Sequence, residues 1–198
     1  MSETTVQLAD LRINGERLWQ SLMTLAQIGA TPKGGVARLA LTDLDRQGRD
    51  LVVQWARELG LQVTVDRIGN IFMRRPGRNP ALAPVMTGSH VDTQPTGGKF
   101  DGNYGVLAGL EVIRTLNDHG IETEAPLEVV VWTNEEGSRF VPVMMGSGVF
   151  AGAFTLDGLG GAFVSSIEGD PHTVIGLSLP ILRELTIKLG VDYTSLWR

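Results

Sequence analysis

Apolar residues recur at helical spacing in three stretches of this chain. Leu18, Trp19, Leu22, Leu25 and Ala26 share one face of a predicted helix that Asn14 would cap and that stops near Gly29. Leu51, Val52, Trp55, Ala56 and Leu59 form a second stripe, opened by Thr42 with Asp45 three places on, an acidic variant of the capping box, and closed by Gly60. Val106, Leu107, Leu110, Ile113 and Leu116 give a third helix over Gly105 to Asp118, ending at Gly120. Between them the pattern changes to that of strands. Leu61 to Asp66 and Ile71 to Arg74 alternate apolar and polar around a turn at Gly69 and Asn70, which predicts a hairpin or bent strand pair. Pro76 to Pro84 reads as loop. Pro84 to Thr87 and Leu127 to Trp132 are short apolar runs, the second suited to burial on both faces. The order strand, crossover helix, strand predicts a parallel pair in an α/β sheet.

Both of those runs end in polar strings, GSHVDT and TNEEGSRF. In an open α/β sheet, ligands collect beyond the carboxyl ends of the strands, so both strings are expected on one rim. Composition narrows the chemistry. The 198 residues carry a net charge of -5 with seventeen scattered Lys and Arg, which offers no basic footprint for nucleic acid. No apolar run is long enough to span a membrane, and Met1 to Asp10 lacks the parts of a signal peptide, so a cytoplasmic address is the default expectation. Cysteine is absent, so any metal must be held by His, Asp and Glu.

His90 and Asp92 lie two apart at a predicted strand end, where their side chains would point to the same side and the carboxylate could orient the imidazole. Taken alone, a His beside an Asp is more often a surface or capped histidine. Asp101, in GGKFDGNYG just before the third helix, could bind metal or cap backbone amides. Glu135 and Glu136 are adjacent like charges at the end of a buried strand, a conflict that a cation or proton would relieve and that solvent would also relieve. In combination, one His and four carboxylates delivered to one rim favour a metal site for Zn, Mn, Co or Ni. Other motifs fail on context. GSGVFAG at Gly146 to Gly152 matches a dinucleotide fingerprint, but Pro142 interrupts the strand that should precede it. Lys99 lacks the first glycine of a phosphate loop, and neither Ser89 nor Ser147 sits in a nucleophile elbow.

The strings RLALTDLDRQGRDL, TGSHVDTQPTGGKFDGNYGVLAGLEVI, VVVWTNEEGSRF and MGSGVFAG together resemble the carbamoylase branch of the di-zinc peptidase M20 family, from Asn14 to about Asp157. That resemblance implies a three-layer α/β/α catalytic domain with a mixed central sheet and an inserted lid. It also implies two divalent metal ions, with His90 on the first, Asp101 bridging both and Glu136 on the second. Glu135 would be the general base, and Asp92 would orient His90. The implied reaction is hydrolysis of a ureido C–N bond in an N-carbamoyl-L-amino acid or in allantoate, and the implied assembly is a homodimer formed through the lid.

The resemblance weakens after Asp157, so residues 1–157 are expected to form the N-terminal part of the catalytic domain and 158–198 a degenerate or truncated continuation. Where the family carries HIEQGP this chain has SIEGDP, which puts Ser166 in the place of a metal-binding His, with His172 an unmatched substitute. Ile181 to Leu189 reads as a possible strand. The lid and a late ligand His are not found, so the alternative expectation is an inactive remnant with at most weak metal binding.

Overall fold

The three helical periodicities become helices, the first two starting at the predicted caps, while the first ends at Leu25, short of the expected stop near Gly29. In the computed structural model, which describes residues 11–151, α1 spans Gly15–Leu25, and the Arg17 amide donates to Asn14 Oδ1 at 3.0 Å. α2 spans Asp43–Glu58, and Thr42 Oγ1 accepts from the Asp45 amide. The reciprocal half of that capping box lands one residue earlier than the sequence pattern predicts: Asp45 Oδ2 accepts from the Leu41 amide at 2.9 Å. Trp19 corrects the first helix's expected face. Leu18, Leu22 and Leu25 complete the buried stripe, whereas Trp19 is 51% exposed and sets its ring 5.8 Å from that of Phe100.

Four strands follow: β1 (Gln62–Val65), β2 (Ile71–Arg75), β3 (Val85–His90) and β4 (Leu127–Trp132), in the spatial order β1-β2-β4-β3. β1 and β2 form the predicted antiparallel hairpin, β2 pairs antiparallel with β4, and β3 pairs parallel with β4. α3 (Asn103–Asp118) makes the crossover between the parallel strands and starts two residues before the predicted Gly105. The fold class is therefore α/β with a mixed sheet.

Strand alternation decides which residues face the helices. Ile71 and Met73 of β2 lie opposite Val131 and Val129 of β4, and all four enter one core with Leu18, Leu22, Leu25, Val52, Ala56, Val106, Leu107, Leu110 and Ile113. Burial of each Val, Leu, Ile or Met side chain among them stabilises by roughly 1.5–3 kcal/mol. α3 sits close on the parallel pair because Gly109 faces it: a Cβ there would lie 3.0 Å from side-chain atoms of both Thr87 and Val129. On the opposite face, Phe72 and Trp132 meet edge-on at 6.2 Å. The mixed sheet and one helical layer of the expected three-layer architecture thus lie within the described residues.

A short helix, α4 (Met145–Phe150), follows the long loop after β4. No strand leads into it, so the GSG string lacks the context a dinucleotide fingerprint needs. Gly146 is instead a packing glycine, since a Cβ would meet Asn70 Oδ1 and the Thr133 amide. The chain divides into two compact units, Met1–Ser147 and Gly148–Arg198. The expected division at 157/158, Ser166, His172 and the predicted strand Ile181 to Leu189 lie outside the described residues. Among the described residues, no helix is long and apolar enough to cross a membrane.

Candidate metal centre

Because β3 and β4 run parallel with His90 in register with Trp132, their carboxyl ends deliver both polar strings to the same rim. Two polar anchors fix the β4 exit. Asn70 Oδ1 accepts from the Thr133 amide, while its Nδ2 donates to Asp66 Oδ2 and to the Gly146 carbonyl. Asn134 then turns the chain with φ 52°, a conformation that Asn tolerates better than most residues.

Asp92 meets the His90 ring with its backbone carbonyl and not with the carboxylate that the sequence pattern points to. His90 Nδ1 lies 2.9 Å from the Asp92 backbone carbonyl, which can only accept, so Nδ1 carries the proton and Nε2 keeps its lone pair for a ligand. The Asp92 carboxylate, 3.6 Å from Nδ1, instead accepts from the amides of Glu135 (3.2 Å) and Glu136 (3.1 Å). One buried residue therefore fixes the imidazole on the β3 side and the two glutamates on the β4 side.

Asp101 is free of the capping role that the sequence left open. The N-cap of α3 is Gly102, with no side-chain cap bond, and the Asp101 carboxylate is exposed with Oδ1 4.0 Å from His90 Nε2. Gly102 is required at that position: its φ is 67°, and a Cβ would fall 2.5 Å from His90 Cε1 and Nε2. One ligand atom each from His90, Asp101 and Glu136 comes within 4.8 Å of the other two. Gln94 Nε2 donates to Glu136 Oε2 at 3.1 Å.

Glu135 stands beside this cluster without joining it. Its Oε2 accepts from Ser147 Oγ at 2.9 Å. Burial pushes its carboxyl above the usual glutamate range, opposed by the Ser147 hydrogen bond. Sequence reasoning dismissed Ser147 as a nucleophile and had no signal for this bond, since a serine twelve residues from its partner carries no local pattern.

The three-residue set fits a divalent cation. Bonds of about 2.1 Å span ligand pairs up to roughly 4.2 Å apart, which includes His90 Nε2 and Asp101 Oδ1 at 4.0 Å. One imidazole nitrogen and two carboxylates suit zinc and its transition-metal neighbours.

Fold and site together define an α/β domain with a candidate metal centre at the carboxyl ends of a parallel strand pair. Residues 86–187 match the model of Peptidase family M20/M25/M40, and the chain belongs to that family. It is 56% identical over 146 residues to an N-carbamoyl-L-amino-acid amidohydrolase of Rhizobium meliloti, covering 74% of this chain and 35% of the relative. It is 39% identical over 131 residues to an allantoate amidohydrolase of Bacillus subtilis, covering 66% of this chain and 32% of the relative. Among solved structures, an amidase of the hydantoinase/carbamoylase family from Burkholderia multivorans is similar with a TM-score of 0.72 and 71% identity, over 74% of this chain and 36% of that one. The chain spans about a third of the length of the curated relatives it matches.

Proposed function

We propose that this site serves the hydrolysis of a linear amide or ureido C–N bond, with N-carbamoyl-L-amino acids as the favoured substrate class and allantoate as the nearest alternative. The observation that carries this reading is the gathering of His90, Asp101 and Glu136, with Glu135 beside them, at one rim of the sheet. The names of the relatives supply the substrate class.

His90, Asp101 and Glu136 would hold divalent metal, with Asp101 shared if two ions bind. Bound cations of this kind supply Lewis acidity, lowering the pKa of water and polarising a carbonyl oxygen. His90 offers Nε2 because the Asp92 carbonyl holds the proton on Nδ1. Glu135 accepts the proton of the attacking water as the new C–O bond forms, and then passes it to the departing nitrogen as the ureido C–N bond breaks. Ser147 secures Glu135 Oε2, which leaves Oε1 for that transfer. Asp92 keeps Glu135 and Glu136 at a fixed spacing through their amides.

The test is release of free amino acid from N-carbamoyl-L-amino acids, and of ammonia from allantoate, by protein supplied with zinc or manganese. Glu135→Gln is expected to retain metal and lose about 100-fold or more in turnover, the scale of general acid–base catalysis. Undiminished turnover in that variant would remove Glu135 from the reaction.

A further inference from the structure

The segment 36–41 joins α1 to α2 and belongs to no named strand, yet Val36, Arg38 and Ala40 are buried. It is bonded to every stretch that carries the candidate metal centre. Val36 and Gly97 exchange backbone hydrogen bonds of 2.9 and 3.0 Å. Arg38 O accepts from the Thr93 amide at 2.8 Å, and the Arg38 amide donates to Thr93 Oγ1 at 2.7 Å. Arg139, three residues after Glu136, donates to the carbonyls of Ala40 and Leu41.

The Arg38 side chain is completely buried and forms the centre of this strap. Its Nε donates to the Val91 carbonyl at 2.7 Å, its Nη1 to the carbonyls of Leu25 and Ile28, and its Nη2 to Asn103 Oδ1 at 2.9 Å. A buried cation is tolerated only where its hydrogens are accepted. Here the acceptors come from the end of α1, the exit of β3 and the start of α3. Burial pushes the guanidinium pKa down to about 10, with Asp45 and Asp92 opposing through space, so it remains charged at neutral pH. Its slot is shaped around it: a Cβ on Gly48 would lie 2.8 Å from Arg38 Cδ. A lysine ammonium is a point charge and cannot span acceptors that a planar fork reaches in different directions.

We propose that Arg38 is a positioning residue for the metal centre. It fixes Val91 and Thr93, which flank Asp92 and follow His90, and Asn103, which follows Asp101 and Gly102, and so it sets the spacing between His90 and Asp101. The inference rests on the metal-binding reading of those residues given above.

The test is zinc binding by calorimetry on the full chain, with thermal unfolding of the chelated protein alongside, for the parent, Arg38→Lys and Ile113→Ala. Ile113 is a core residue in the C-terminal half of α3 and controls for a general loss of stability. Arg38→Lys is expected to weaken zinc binding about ten- to a hundredfold, the range for residues that support metal ligands. Ile113→Ala is expected to lower the unfolding temperature and leave the affinity unchanged. Parent-like affinity in Arg38→Lys would overturn the proposal, as would an equal loss in Ile113→Ala. Should Arg38→Lys not fold, Asn103→Ala removes one acceptor of the fork and is expected to lose affinity several-fold; no loss there would also overturn it. The nitrogen–proton correlation of the His90 imidazole in the metal-free chain is expected to shift in Arg38→Lys and stay in place in Ile113→Ala. That signal is read whether or not zinc binds, so a parent that takes up no zinc counts against the metal centre, while the imidazole signal still decides the role of Arg38.

Discussion

At the scale of single residues, the centre depends on which atoms are left free. The Asp92 carbonyl takes the His90 Nδ1 proton, and the lone pair at Nε2 faces Asp101 only because residue 102 has no side chain. Gly102→Ala therefore strikes the site twice. Its backbone, at φ 67° and ψ -50°, lies outside the left-handed helical basin in a region that costs an alanine about 1–3 kcal/mol, and the new methyl occupies the space of the imidazole. Expected outcomes are a loss of about 1–3 kcal/mol in urea unfolding and at least about a tenfold loss of zinc affinity by calorimetry. Parent-like affinity would show that the ring can move aside without cost. The positions of His90, Asp101, Glu135 and Glu136 were legible in the sequence because each lies at or just past a strand end or precedes a helix. The use of the Asp92 carboxylate was not, since alternation along a strand says which side a residue faces and nothing about which of its oxygens finds a partner. Arg38 and Ser147 were equally hidden, their partners being set by the fold and not by neighbouring sequence.

At the scale of elements, helix ends and strand runs followed local rules, and the differences arose where tertiary contact intervened. α3 starts ahead of its apolar stripe because Gly102 turns the chain and Asn103, buried, is tied to Arg38. Its other anchor is Glu111, a fully buried carboxylate that takes hydrogen bonds from Arg17 Nε at 2.9 Å, Arg17 Nη2 at 2.7 Å and the Asn14 amide at 3.1 Å. Arg114 lies 3.7 Å away and adds to the attraction. This pairing docks the first turn of α1 on α3 across 94 positions of chain, a separation at which no sequence pattern announces it. Glu111→Ala leaves two guanidinium groups near an empty site. Removing one member of a buried pair costs about 3–5 kcal/mol, and the lower end applies here because Arg17 is partly exposed and can be rehydrated. Urea unfolding followed by circular dichroism measures it; a change below about 1 kcal/mol would mean that the docking is carried by Leu18, Leu22 and Leu25 alone.

At the scale of the molecule, the ligands of the candidate centre come from the end of β3, the turn before α3 and the end of β4, so a cation held by all three adds a further link among segments that the β3–β4 pairing, Asp92 and Arg38 already hold near one another. Such a cation binds the folded chain and finds no comparable set in the unfolded one, and binding must then raise stability by mass action. At free zinc of roughly 100 times Kd the gain is about 2.7 kcal/mol, which for a chain of this size is an increase of roughly 5–10 °C in Tm. Asp101→Ala removes one of the three ligands from an exposed position where the side chain makes no cap and fills no core, so the variant's Tm in chelator should match the parent's while the zinc-dependent rise is lost. A rise that survives in Asp101→Ala would place the bound metal elsewhere in the chain. No rise in the parent would mean that the cluster is assembled by the fold yet binds too weakly to couple to it, and the hydrolytic reading would then lose its main support.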